Sequence, residues 1–227
     1  MSSFPYIIFD FDDTLSDFQR AKEHSKQLIT PYLLQSGIDV KKYWAHYEKI
    51  FEPLFSRYIH HELTVDEYRL MRFEHSGVTH MEAAKYNEIY LSAVNQAILF
   101  DDVVPVLTEL KSRGYRLYVL TNGPAVQRTK IGGCEIAPLL EDIFISSELG
   151  VGKPDTLVYD TVFQRIGANS KSQLLMVGDS YENDCVAAEQ AGITAIQVNR
   201  RNKAITHYKT QIASLYPLLE LLPKRDE

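Results

Sequence analysis

Four short clusters along this 227-residue chain combine side chains able to do phosphoryl chemistry. Asp10-Phe11-Asp12-Asp13-Thr14 sets two carboxylates two residues apart, and Thr121-Asn122-Gly123-Pro124 offers a hydroxyl, an amide and a glycine. Gly150-Val151-Gly152-Lys153-Pro154 supplies an ammonium, and Gly178-Asp179-Ser180 adds an acid, with Asp184 five residues beyond it. A hard cation such as Mg²⁺ takes one or two carboxylates with carbonyls, waters and a substrate phosphate oxygen. Asp10 and Asp179 suit that role. A carboxylate can also attack phosphorus to give an acyl-phosphate that water later cleaves. Asp12, two residues past Asp10, can protonate the leaving oxygen and then serve as base toward the hydrolytic water. Thr121, the amides near Asn122 and Gly123, and the Lys153 ammonium can hold the phosphoryl oxygens where charge concentrates.

These clusters need a scaffold that brings them to one place. Each follows a short apolar run: Tyr6 to Phe9, Tyr115 to Leu120, Ile143 to Ile145 and Leu174 to Val177, with a fifth run from Thr194 to Val198. Runs of this length, rich in β-branched and aromatic residues with little alternation, read as strands covered on both faces. Helical patterns lie between them, about Val103 to Arg113, Thr156 to Ile166 and Asn183 to Ala191. Gly114, Gly167 and Gly192 stand where those helices should end. Such alternation predicts an α/β fold with a doubly wound, parallel, Rossmann-like sheet. In open sheets of this kind ligands bind outside the carboxyl ends of the strands, so the four clusters converge on one edge.

Residues 18–99 have a different character, with helical periodicity and no strand-like run. Val40, Tyr43, Trp44, Tyr47, Phe51, Leu54, Phe55 and Tyr58 recur at steps of three and four, marking one face of a long helix that Pro53 should kink or end. Thr64-Val65-Asp66-Glu67 and Thr79-His80-Met81-Glu82 have capping-box form, so two further helices should start there. The predicted organisation is a catalytic core of residues 1–17 and 100–227 with an all-helical insert, 18–99, between the first strand and the rest. Ten aromatics lie between Tyr43 and Tyr90. Most should form the insert's own core, with one or two left to stack on a planar substrate group.

In order and spacing the clusters resemble those of the haloacid dehalogenase superfamily of phosphohydrolases, from about Tyr6 to the C-terminus. D-x-D-x-T is Asp10 to Thr14, the strand-terminal Thr is Thr121, the G-K-P lysine is Lys153, and G-D-x-x-x-x-D runs from Gly178 to Asp184. The resemblance implies that Asp10 is the nucleophile and Asp12 the acid/base, with the metal held by Asp10, the main-chain carbonyl of Asp12, and Asp179. It implies a supporting place for Asp184, either on the metal or through water, with Ser180 and Asn183 as further supporting residues around the metal. A carboxylate at Asp12 favours an oxygen leaving group over halide, since halide takes no proton. The helical insert looks like the mobile cap of that superfamily, which closes over the site, excludes water and selects substrate. Within the capped group, Asp13 to Phe18, the aromatic cap helix, Gly150 to Pro154 and Val177 to Ser180 resemble the house-cleaning pyrimidine 5′-nucleotidases. That implies hydrolysis of nucleoside 5′-monophosphates, with capped phosphatases for sugar phosphates or phosphoglycolate as the alternative.

Simpler roles compete at several positions. Asp184 in the first turn of a helix can serve its dipole, and Ser180 or Asn183 can cap the same helix. Arg200-Arg201 with Lys203, just past the last strand, reads as a wet loop. A phosphate-accepting receiver module shares the sheet, the acids, a Thr and a Lys, but its acid follows a middle strand and it lacks a helical insert. A net charge of −6 gives no general attraction for nucleic-acid polymers, so a phosphate must be captured by local positive groups or a metal. Two distant cysteines, Cys134 and Cys185, make neither a disulfide framework nor a zinc motif. Met1-Ser2-Ser3-Phe4-Pro5 carries no basic leader or apolar signal core. The expectation is a cytoplasmic protein with a small phosphomonoester substrate, no membrane partner, and a monomeric or weakly dimeric state.

Overall fold

The apolar run Tyr6–Phe9 becomes β1, the centre of a six-stranded sheet in this computed structural model, which describes residues 4–201 and 208–224. The other strands are β2 (Arg116–Thr121), β3 (Leu140–Ile145), β4 (Leu174–Gly178), β5 (Thr194–Val198) and β6 (Gln211–Ile212). They lie in the order β3-β2-β1-β4-β5-β6, and every pairing is parallel. From β1 the chain winds outward through β2 and β3, then crosses back to β4 and winds the other way. The gap between β1 and β4 is thus a topological switch point, the place where such sheets bind ligands. Residues 1–3 and Lys203 lie outside the described residues.

Two compact units emerge, Met1–Asp17 with Ile98–Glu227 and, separately, Phe18–Ala97. In the first, the β1, β2 and β4 side chains are buried on both faces, as a parallel sheet covered by helices requires. One face carries Ile8, Leu120, Phe144, Leu174 and Met176, packed with Val158, Tyr159 and Val162.

The second unit is helical: α1 (Phe18–Gln35), α2 (Val40–Ile59), α3 (Val65–Met71) and α4 (His80–Val94). Thr64 and Thr79 both form complete capping boxes, with Glu67 and Glu82 reaching back to the cap amides. Along α2, Tyr43, Tyr47, Phe51 and Leu54 are buried, at steps of four, four and three. Tyr47 packs against Phe51 and Phe73, and Phe73 in turn against Tyr86 and Tyr90 of α4. Pro53 does not end α2, which runs six residues past it. The proline is exposed while Phe51 and Leu54 are buried, so the lost amide donor faces water and the packed stripe carries the helix through.

Back in the first unit, α5 (Val103–Ser112) precedes β2 and α6 (Val126–Gly132) follows it. Next come α7 (Ser146–Leu149) and α8 (Thr156–Ile166), then α9 (Ala187–Gln190) and α10 (Leu218–Leu221). The helix expected over Asn183 to Ala191 is only partly α-helical: Tyr181–Val186 forms a π-helical turn leading into α9.

Candidate active site

Asp10 extends β1 by one residue, its N–H donating to the Val177 carbonyl of β4 at 2.9 Å. The chain then turns sharply. The amides of Leu15 and Ser16 both donate to the Phe11 carbonyl, at 2.8 and 2.9 Å, and Asp13 takes the left-handed region at φ 64°. Aspartate tolerates that region better than most side chains. Asp17 then donates its N–H to Ile98, closing the neck where the helical unit is inserted. The turn swings Thr14 back onto the strand end. Its hydroxyl donates to Asp10 Oδ2 at 3.0 Å and accepts the Asp179 N–H at 2.9 Å, tying β1 to β4.

Lys153 arrives from the β3 side, and its ammonium uses three donors on three acceptors. They are Asp10 Oδ1 at 2.7 Å, Asp184 Oδ1 at 2.6 Å and the Leu120 carbonyl at 3.1 Å. The residue is 3% exposed. Burial disfavours its charge, but the two carboxylates more than offset this and hold it above the usual lysine range. Asp184, to which the sequence gives either a supporting or a helix-dipole role, is itself buried and ion-paired. The π-helical turn aims it there: the Ser180 carbonyl accepts from both Asp184 and Cys185, and Asp184 Oδ2 accepts the Ser180 N–H at 3.0 Å. Ser180 caps this turn, its hydroxyl accepting the Asn183 N–H, while the Asn183 carbonyl accepts from the Tyr159 hydroxyl.

One carboxylate oxygen each from Asp10, Asp179 and Asp184 lie within 4.8 Å of one another. Burial pushes the Asp10 carboxyl up to about 7, against the pull of Lys153 and with help from Asp184 and Asp12. Burial also raises Asp179 to about 8, and Asp10 and Asp184 add to it by repulsion. An all-oxygen set with more negative charge than one lysine balances fits a hard divalent cation. Asp12 lies outside this trio through its side chain, which turns instead to Lys130 and Gln127 at 2.7 Å each.

Asn122 and Gly123, at the end of β2, also make bonds within the protein. The Asn122 side chain clamps Lys153, donating to its carbonyl at 2.6 Å and accepting its N–H at 2.9 Å. The Gly123 amide donates to Ser146 Oγ at 2.9 Å. The Asn122 bonds hold the lysine loop against the end of β2. Gly152 belongs to the same clamp, since a Cβ there would meet Asn122 Oδ1 at 2.7 Å. Thr121 is at the strand end as expected, 1% exposed, and accepts from Gln127 Nε2 at 3.3 Å.

Arg200 is not in a wet loop. Its side chain is 8% exposed, pairs in bidentate fashion with Asp102 at 3.0 and 3.1 Å, and donates to the Thr14 carbonyl at 2.7 Å. It thereby braces the turn that carries Asp12 and Thr14. Lys130, Gln127 and Asp102 carry no assignment to the site from the sequence, and Arg200 reads there only as a loop cation. For the first two a signal existed, since they stand three apart on the helix that follows Thr121.

Comparisons with known proteins place the chain in a family. The family model described as haloacid dehalogenase-like hydrolase matches residues 4–192. The pyrimidine 5′-nucleotidase PynA of Streptococcus pneumoniae is 28% identical, with 97% of this chain and 96% of that protein covered. A glyceraldehyde 3-phosphate phosphatase of Methanothermobacter thermautotrophicus is 24% identical, covering 85% of this chain and 84% of its own. Among solved structures, the magnesium-bound HAD-hydrolase YfnB of Bacillus subtilis superposes with a TM-score of 0.79 at 26% identity. That match covers 97% of this chain and 99% of YfnB.

Proposed function

This chain belongs to the haloacid dehalogenase-like hydrolases, and from that premise we propose that it is a Mg²⁺-dependent phosphomonoesterase acting through an aspartyl-phosphate on Asp10. The observation that carries the reading is the Asp10 carboxylate at the sheet's switch point, gripped by Lys153 and Thr14 and flanked by Asp179 and Asp184. Asp10, Asp179 and Asp184, with the Asp12 main-chain carbonyl, would hold the ion. Bound there, Mg²⁺ supplies the positive charge that lets an anionic carboxylate meet an anionic phosphate.

Lys153 and Thr14 orient the nucleophile, one donor on each oxygen, so that it meets phosphorus without first being ordered. Lys153 and the Thr121 hydroxyl would then face the oxygens of the transferring group. Asp12 is half-buried at 26% side-chain exposure, open enough to meet a leaving-group oxygen. It would deliver the proton in the first step and take one from water in the second.

For the substrate we favour a pyrimidine nucleoside 5′-monophosphate. The support is the likeness to PynA along nearly the whole of both chains, including the helical insert, together with the insert's many aromatic side chains. The insert is accordingly assigned to substrate choice. The likeness to a glyceraldehyde 3-phosphate phosphatase favours small sugar phosphates as the second reading. Cytoplasmic placement is supported by two unpaired thiols, Cys134 and Cys185. No helix among the described residues is long and apolar enough to cross a membrane.

The test is phosphate release from UMP, dUMP, dTMP, purine monophosphates, sugar phosphates and phosphoglycolate, with Mg²⁺ and with chelator. Metal-dependent release that peaks on the pyrimidine esters is expected. A peak on sugar phosphates would overturn the substrate while keeping the chemistry, and no release from any ester would overturn both.

A further inference from the structure

Two buried donors on α6 converge on one carboxylate. Lys130 Nζ donates to Asp12 Oδ1 and Gln127 Nε2 to Asp12 Oδ2, each at 2.7 Å, so that one donor serves each oxygen. Lys130 is 8% exposed and Gln127 6%, while the carboxylate they hold is more open. Gln127 is itself fixed, since its amide also donates to Thr121 Oγ1 at the end of β2. Lys130 has its ammonium 5.2 Å from the Phe11 ring centroid, beside the turn that carries Asp12. Being three residues apart, the two donors share one face of the helix that begins just past Thr121.

An aspartate beyond a strand end has two free torsions. Holding its carboxylate needs a donor on each oxygen, and here both donors come from the buried face of a short helix anchored to a neighbouring strand. We infer that Lys130 and Gln127 are positioning residues that aim the Asp12 carboxyl at the leaving-group oxygen. The inference rests on the reading of Asp12 as acid/base. In the step concerned, an Asp10 oxygen bonds to phosphorus as the bond from phosphorus to the ester oxygen breaks. The Asp12 proton passes to that departing oxygen, leaving Asp12 as carboxylate. Each Asp12 oxygen keeps a second lone pair, so the proton can be carried beside the two N–H···O bonds. A misplaced acid slows only those steps that need its proton.

That selectivity separates positioning from mere support of the fold. The experiment is a series of aryl phosphates, from phenyl through 4-nitrophenyl to 2,4-dinitrophenyl phosphate, assayed for kcat/KM with Mg²⁺. This constant reads the steps up to departure of the phenol, and the most acidic phenol leaves without help. Lys130→Met and Gln127→Leu should each lower kcat/KM on phenyl phosphate by about 10²-fold. On 2,4-dinitrophenyl phosphate the loss should stay below about tenfold, and Lys130→Arg, which restores a donor, should recover most of the lost rate. A variant that folds poorly loses active enzyme equally for every ester, so the ratio between esters still reads the role.

Asp12→Asn is the reference. If its loss does not depend on the phenol, the acid/base reading fails. If its loss does depend on the phenol but those of Lys130→Met and Gln127→Leu are uniform or absent, the positioning role alone is overturned.

Discussion

Asp10 stands at the end of β1 between a lysine, a threonine and two further acids, and its environment separates what it contributes to the fold from what it contributes to reaction. Lys153 and Thr14 hold its two oxygens while Asp179 and Asp184 crowd it. Asp10→Asn keeps the shape and removes one charge from the crowded set. Turnover should fall by about 10³-fold or more, while the melting temperature in chelator holds or rises. Turnover like that of the unaltered protein would eliminate the proposed nucleophile. Gly178 probes the opposite wall, because a Cβ there would lie 2.3 Å from Asp184 Cγ and Oδ2. Gly178→Ala should therefore push Asp184 off Lys153, cost about 2 kcal/mol in urea unfolding and abolish measurable turnover. Unchanged stability would show that Asp184 has room to move. At this scale the ligand types were readable from the motifs, and their partners were not. Nothing local to Asp184 says that it pairs with Lys153, 31 residues away. Arg200, which reads as a loop cation, is bound to Asp102 across 98 residues.

Elements with local signals formed where the pattern put them. The helix predicted over Thr156 to Ile166 spans those residues, and both capping boxes are made. A Ser/Thr cap and a Glu three residues on need no tertiary partner. Thr79→Ala should thus cost about 1 kcal/mol, read as a lower urea midpoint, with Thr79→Ser restoring most of it. No change on Thr79→Ala would mean that α4 is held by packing alone. Elements whose form depends on distant groups departed from the pattern. Pro53 stays inside α2 because the buried Phe51 and Leu54 outweigh one missing donor on the wet side. The turn at Tyr181–Val186 is π-helical, with the Asp184 it carries paired to Lys153, an interaction no helical periodicity encodes.

For the whole molecule, the acid cluster makes stability depend on pH and metal together. In folded, metal-free protein burial, with repulsion among the acids, pushes Asp10 up to about 7 and Asp179 up to about 8, both above the ordinary carboxyl value of 3.8. The folded state therefore binds more protons than the unfolded state in that interval. Its advantage is complete below the unfolded value and is lost as pH rises toward 8. In the helical unit His75 has the opposite sign: burial and nearby His46 lower it to about 4 from 6.5, which costs stability as pH falls through that window. Above pH 6.5 only the acids remain of these three. In chelator the melting temperature should fall between pH 6.5 and 8, and saturating Mg²⁺ should flatten or reverse the trend. A melting temperature that rises with pH in chelator would show that the two carboxyls are already ionised there.

The parallel sheet, the helices between its strands and the chemical identity of the site followed from the sequence, since each rests on short-range properties. These are the period of apolar residues, the caps, and the presence of particular side chains at strand ends. Only the tertiary structure decided which side chain meets which. The strand order β3-β2-β1 sets Asp10 against Lys153, 143 residues on, and Asp12 against Lys130, 118 residues on. Such pairings arise because β2 and β3 are laid beside β1 only after the chain has passed through the insert, so the segments that follow them return to the end of β1. No local rule can report the distance between two residues that become neighbours only when the sheet closes around its first strand.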